Sequence, residues 1–156
     1  MADSIHFEID QAIFRTRVAR AGMSIGEVFE ECVTHRVPGI PFVNHRNQVI
    51  GRVSVRHTLK MTCIPEFMVK GAHLLGDTIA PMRIPDEHAK AVLKMPAERF
   101  VLEPVAIVTS SAPVVKALAM MEQYNSSYAF VIDDDQYQGI VTRMGIARLM
   151  LQVQER

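Results

Sequence analysis

The sequence predicts a mixed α/β (α+β) fold in which one unit is used twice about a pseudo-twofold axis, with a helical connector between the copies. Three observations carry this. Ile25, Val28, Phe29 and Cys32 are matched by Val114, Ala117, Leu118 and Met121 at a shift of 89 residues. Pro41-Phe42-Val43 and Gly51-Arg52-Val53-Ser54 are matched by Ala129-Phe130-Val131 and Gly139-Ile140-Val141-Thr142 at a shift of 88. Both stretches run helix, strand, polar turn, strand, and the one-residue difference places a deletion in the second connecting segment. Such a duplicated unit leaves a cleft where equivalent parts face each other, and small-molecule sites favour clefts.

The elements follow in order. Ile9, Ala12, Ile13 and Phe14 suit a helix face, whereas Ile13–Val18 also suits a strand, so Ile5–Arg20 reads either way. Ser24 and Glu27 make a capping-box pair, and Ile25, Val28, Phe29 and Cys32 then recur at helical spacing. Val37-Pro38-Gly39 ends that helix. Ile40–Val43 and Val49–Val53 read as strands around Asn44-His45-Arg46-Asn47, and a further helix starts near Ser54. In the connector, Ile64, Phe67, Met68, Gly71, Ala72, Leu75 and Ile79 share one helical face. That face suits a cover over the core, a dimer contact or a lid. Pro81 and Pro85 break the chain, and Pro96 closes a short helix over Asp86–Met95. In the second copy Val105–Val108 reads as a strand, and Ser110 or Ser111 suits the cap of a helix entered at Pro113. Tyr128–Ile132 and Gln138–Val141 are strands around Asp133-Asp134-Asp135-Gln136. The last helix carries Ile146, Leu149, Met150 and Val153 on one side.

The 156 residues fit a single module, 1–156. Lys plus Arg and Asp plus Glu are 17 each, so the net charge is zero and no global field draws nucleic acid or an anionic membrane. Cys32 and Cys63 form no CxxC pair and read as reduced thiols. Met1-Ala2-Asp3-Ser4 does not open a signal peptide, and no apolar run reaches the roughly 18 residues of a membrane span. The expected location is cytoplasmic.

At its repeated units the chain resembles a tandem CBS-domain pair, or Bateman module, here as a stand-alone pair. The family pattern has A-L-x-x-M on a helix, a strand ending near P-V-V-D, and G-I-V-T-x-x-D leading into a helix. The second copy matches in Ala117-Leu118-Ala119-Met120-Met121, Phe130-Val131-Ile132-Asp133-Asp134 and Gly139-Ile140-Val141-Thr142-Arg143. The first matches in Gly39-Ile40-Pro41-Phe42-Val43 and Gly51-Arg52-Val53-Ser54. The resemblance covers residues 12–60 and 100–154, with 61–99 as connector. It implies two β-α-β-β-α units packed sheet to sheet and a homodimer of four such units; no catalytic constellation is visible in the sequence, so no catalysis is expected. It also implies a regulatory ligand (AMP, ADP, ATP or S-adenosylmethionine) bound between the copies and read by an unknown effector protein.

The residues supply their own reason for an anion. A strand ending in Gly-x-x-Ser/Thr and passing into a helix puts a hydroxyl beside unpaired backbone N–H groups at the positive end of the helix dipole. Ser54 and Arg56 occupy that turn in the first copy, Thr142 and Arg143 in the second; arginine can grip a phosphate with two parallel hydrogen bonds. Ile40-Pro41-Phe42 and Tyr128-Ala129-Phe130 could form an apolar slot for a base. The same residues also suit plain helix caps with solvated arginines, which would leave a ligand-free dimerisation or protein-interaction module. The acid that accepts the ribose hydroxyls in the family is replaced by His57 in the first copy and Gly145 in the second. Losing such a charged acceptor costs about 1.5–3 kcal/mol. Neutral His57 keeps one acceptor nitrogen and Gly145 none, so the first copy offers the better ribose site. Asp133-Asp134-Asp135 reads as a solvated turn. The histidines show no metal-site spacing, and no P-loop, G-x-G-x-x-G or G-x-S-x-G is present.

Overall fold

The computed structural model describes residues 8–77 and 83–155; the expectations for Ile5, Ile79 and Pro81 lie outside the described residues. In the first copy β1 (Gly39–Val43) and β2 (Val49–Ser54) pair antiparallel, with Gly39 opposite Ser54. In the second copy β3 (Ile107–Val108), β4 (Tyr128–Asp133) and β5 (Gln136–Thr142) form a sheet in that order, with Tyr128 opposite Thr142. The strand read at Val105–Val108 is thus two residues long, and it runs parallel to β4.

Ile9–Ala12 is a 3₁₀ turn, and Ile13–Val18 is not a strand. The first-copy counterpart of β3 shrinks to Ala19. Its N–H donates to the Pro41 carbonyl at 2.8 Å, and its carbonyl accepts from Val43 N at 2.9 Å.

The internal dyad is written in the pairing of the entry segments. Phe14 bonds both ways with Ile140 at 2.9 Å, and Leu102 bonds both ways with Arg52 at 2.9 and 3.0 Å. These pairs are 88 residues apart at both ends, so the segment leading into each copy adds a short antiparallel stretch to the other copy's sheet. The glycines at the crossing are needed there. A Cβ on Gly51 would strike Val101 and stand 2.8 Å from the Leu102 carbonyl; one on Gly139 would strike Ile13 and stand 2.6 Å from the Phe14 carbonyl.

Four main helices flank the sheets. α1 (Ile25–His35) starts with the expected capping box: Ser24 Oγ accepts from Glu27 N at 3.2 Å, and Glu27 Oε2 accepts from Ser24 N at 3.1 Å. α2 (Val55–Cys63) follows β2 directly. In the connector come α3 (Glu66–Lys70) and α4 (Asp86–Leu93), then α5 (Val114–Gln123) and α6 (Arg143–Gln154) in the second copy. Ser110 and Ser111 do not cap α5. Pro113 is its N-cap, and the Ser110 N–H donates to Asp133 at 2.9 Å. Asp134 and Asp135, at φ 50° and 61°, form the two-residue hairpin turn whose twist matches its strands.

The core has two lobes. Ile25, Val28, Cys32, Ile40, Phe42 and Val53 pack with Tyr128, Phe130 and Ile140 from the other copy. Ala117, Met121, Ala129, Val131, Val141 and Leu149 form the second lobe. Alternate residues of β4 therefore serve different lobes, as the period-2 pleat requires, and the lobe holding Tyr128 and Phe130 glues the copies together.

The connector departs from expectation. Its apolar face does not form one helix: Pro65 and Gly71 bracket the five residues of α3, which buries none of them. Phe67 and Leu74 remain 75% and 79% exposed, so this stretch does not cover the core. With Met61, Met68 and Ile84 nearby, it walls an open apolar groove. Among the described residues of the connector, Val92 and Ala97 are the buried ones, just ahead of the buried Phe100.

Candidate ligand site

β2 delivers the chain to α2 at the seam between the copies. There the Ser54 hydroxyl accepts from His57 N at 3.1 Å and caps α2, and Val55 N donates to the Pro38 carbonyl at 3.0 Å. Across the seam the chain leaves α5 through Asn125, whose φ is 48°, and passes Ser126 and Ser127 into β4. Ser126 Oγ donates to the Tyr128 carbonyl at 2.9 Å and holds this bend. Between the two lies a cavity of about 280 Å³, near the lower end of the ~300–1,000 Å³ of small-molecule sites. Its floor and walls include Pro38, Ser54, Leu102 and the Asn125–Tyr128 bend.

Its charge is one-sided. Arg52, Arg56, Lys60 and Arg143 line it together with His57, and among the described residues no carboxylate does. Arg52 sits deepest. Its Nη1 donates to the Tyr128 hydroxyl at 3.1 Å, its guanidinium carbon lies 5.6 Å from the centre of that ring, and its Nε is buried without a hydrogen-bond partner. A buried unpaired donor costs about 1–3 kcal/mol, and an oxygen of an anion in this cavity is the kind of acceptor that would relieve it. Arg143 is held at 2.9 Å by Glu122. That pair is exposed and worth only ~0–1 kcal/mol, so it competes weakly for the guanidinium. Partial burial, reinforced by Lys60, Arg52 and Arg56, holds the His57 imidazole below its ordinary pKa. His57 is therefore neutral at pH 7 and has one acceptor nitrogen to offer.

A family model, CBS domain, matches residues 97–152. Among solved structures, the CBS domain of a CBS-domain-containing membrane protein from Sphaerobacter thermophilus is 19% identical, with TM-score 0.65 over 92% of this chain and 88% of that one. CBSX2, a CBS-pair protein of Arabidopsis thaliana, solved in complex with AMP, is 18% identical, with TM-score 0.62 over 95% of this chain and 98% of that one. The CBS-domain pair of MJ0100, solved with 5′-methylthioadenosine and S-adenosyl-L-methionine, is 19% identical, with TM-score 0.58 over 92% of this chain and 99% of that one. No curated protein matches the sequence.

The chain is folded as a tandem CBS-domain pair. The likeness extends over nearly its whole length, and it agrees with the exchanged entry segments and the matched strand-to-helix turns. Within this CBS pair, Ser54, Arg56, His57, Tyr128 and Arg143 come together around the cavity. The other residues singled out in the sequence lie elsewhere. Ile40, Pro41, Phe42, Ala129 and Phe130 are buried in the core, because β1 and β4 are packed on both faces and have no side chain to spare for a slot. Thr142 caps α6 by accepting from Gly145 N at 2.9 Å. Sequence reading missed Pro38, Arg52, Lys60, Leu102 and Asn125–Ser127. Lys60 was within reach, being one helical turn beyond Arg56 on α2. Leu102 and the serine bend required the crossing of the copies, which no local pattern encodes. Among the described residues no helix is long and apolar enough to cross a membrane.

Proposed function

We propose that this CBS pair is a non-catalytic regulatory module that binds a phosphate-bearing adenine nucleotide in the basic cavity between its copies. One observation carries the reading: four basic side chains and a helix N-terminus capped by Ser54 converge on one cavity at the seam, with no carboxylate among its described lining residues. The ligands in the structures of CBSX2 and MJ0100 are adenosyl compounds. The charge of this cavity separates them. AMP, ADP and ATP present anionic phosphate to the arginines, whereas S-adenosylmethionine brings a sulfonium cation into a positive site. The ligand touches both copies, so it favours one relative orientation over another to the extent that it binds the two unequally, and an effector protein reads the difference. The cytoplasm, where such nucleotides abound, suits this role.

Calorimetric titration with AMP, ADP, ATP and S-adenosylmethionine tests the reading. Binding by at least one nucleotide, lost about ten- to a hundredfold on Arg56→Ala, is expected. Silence from all three nucleotides at millimolar concentration would refute it.

A second reading, a dimerisation and protein-interaction module, draws on the exposed apolar groove along Met61, Ile64, Met68 and Ile84. It is compatible with the first: units 12–60 and 100–154 hold the ligand while the connector, 61–99, meets a second copy.

A further inference from the structure

The pseudo-dyad gives every wall of the basic cavity a counterpart in the other half, and the counterparts differ in chemistry. Arg52 corresponds to Ile140, Arg56 to Met144, Arg143 to Val55 and His57 to Gly145. Lys60 keeps its charge as Arg148, and Arg36 replaces Asn125, so two cations stand where the first site has four. Leu102 corresponds to Phe14. The larger ring lies against the first turn of α6, its Cε2 3.2 Å from where a Cβ on Gly145 would stand. The Arg148 guanidinium carbon covers that ring, 4.9 Å from its centre, an arrangement that engages the cation with the ring face. Where the first half presents an imidazole to an open cavity, the second has lost the side chain, and an aromatic ring from the opposite copy fills the space.

We propose that this CBS pair binds one anionic ligand per chain, at the Ser54 site, and that Phe14 is the residue that closes the equivalent site at Thr142. The proposal rests on the anion-binding reading above but not on the adenine. Symmetric halves thereby become an asymmetric sensor: a ligand engages Ser54, Arg56 and His57 from one copy and the Asn125–Tyr128 bend from the other, with no matching ligand across the dyad.

Calorimetry on the full chain tests this with AMP, ATP and inorganic pyrophosphate as probes. One equivalent per chain is expected. The double variant R52I/R56M, which gives the first site its counterpart's residues, should lose binding at least tenfold with no residual equivalent. Phe14→Leu installs the residue its twin position already tolerates. It should admit a second equivalent, at least tenfold weaker than the first. Phe14→Ala opens the site further and should do the same. Two equivalents in the unaltered protein, or one surviving in a folded R52I/R56M variant, would overturn the single-site assignment. A stoichiometry that stays at one in both Phe14 variants would overturn the role of Phe14. Pyrophosphate binding without nucleotide binding would refute the adenine reading and leave this one standing. Silence from every probe would end both.

Discussion

The residues at the seam are chemically unequal partners. Cys32 is 2% exposed, and burial, with Glu31 nearby, pushes its thiol up to about 12; it behaves as a small apolar core residue. His57 is the group whose charge is open to change. Unfolded, it titrates near ~6.5; folded, it titrates lower, because partial burial and three cations disfavour the imidazolium. Between those values the unfolded chain holds the extra proton. The group's contribution to stability is therefore full above ~6.5 and is lost as pH falls through the folded pKa. A bound phosphate reverses the local field and favours the imidazolium, so nucleotide affinity is expected to rise as pH falls through that window. Titrations at several pH values in the unaltered protein and in His57→Gln check this. The phosphate's own titration near ~6 is common to both, so the difference isolates the imidazole. Equal pH profiles in the two proteins would refute it.

At the scale of elements, the same turn caps a helix in both copies but stands in different surroundings. Ser54 and Thr142 both cap a helix by accepting from the N–H three residues on, at 3.1 and 2.9 Å, and a hydroxyl so used contributes about 0.5–2 kcal/mol to its helix. The cap is present at both Ser54 and Thr142, and the ligand role is proposed for Ser54 alone. The sheets depend on close approach by foreign chain. Gly51 and Gly139 sit where Val101-Leu102 and Ile13-Phe14 cross over, and Gly139 also has φ 156°, a conformation that favours glycine. Gly51→Ala and Gly139→Ala are each expected to destabilise the fold by about 1–3 kcal/mol through overpacking, with the larger loss at Gly139. Urea unfolding midpoints measure this, and a change below ~0.5 kcal/mol at both positions would contradict the exchanged pairing.

At the scale of the whole molecule, net zero charge conceals a separation. The cations that could meet an anion gather at one seam, and the exposed Phe67 and Leu74 lie on the connector outside that cavity's lining. On the reading proposed above, the first surface takes a small ligand and the second meets a protein. Phe67 at 75% exposure and Leu74 at 79% are costly to leave in water, which argues for a second copy of the chain there. Light scattering on purified protein should return twice the monomer mass of 17.5 kDa, and Phe67→Ser with Leu74→Ser should shift it toward one. A monomer at every concentration would remove the homodimer.

The paired strands, the Ser24–Glu27 capping box and the Ser54 and Thr142 turns were legible in the chain because each is local, whereas the Ser110 or Ser111 cap was misplaced. Periodicity, turn chemistry and caps act over a few residues, and the internal repeat shows them twice. The missing acid at His57 and Gly145 already marked the two sites as unequal. Which site stays open depended on contacts between residues some 130 positions apart, such as Phe14 against Gly145. The same holds for Arg52 reaching Tyr128 and for the core taking the strand residues expected to line a slot. Burial and charge convergence belong to the packed molecule, since a side chain's neighbours across a dyad are set by the crossing of the segments and leave no trace in the spacing along the chain.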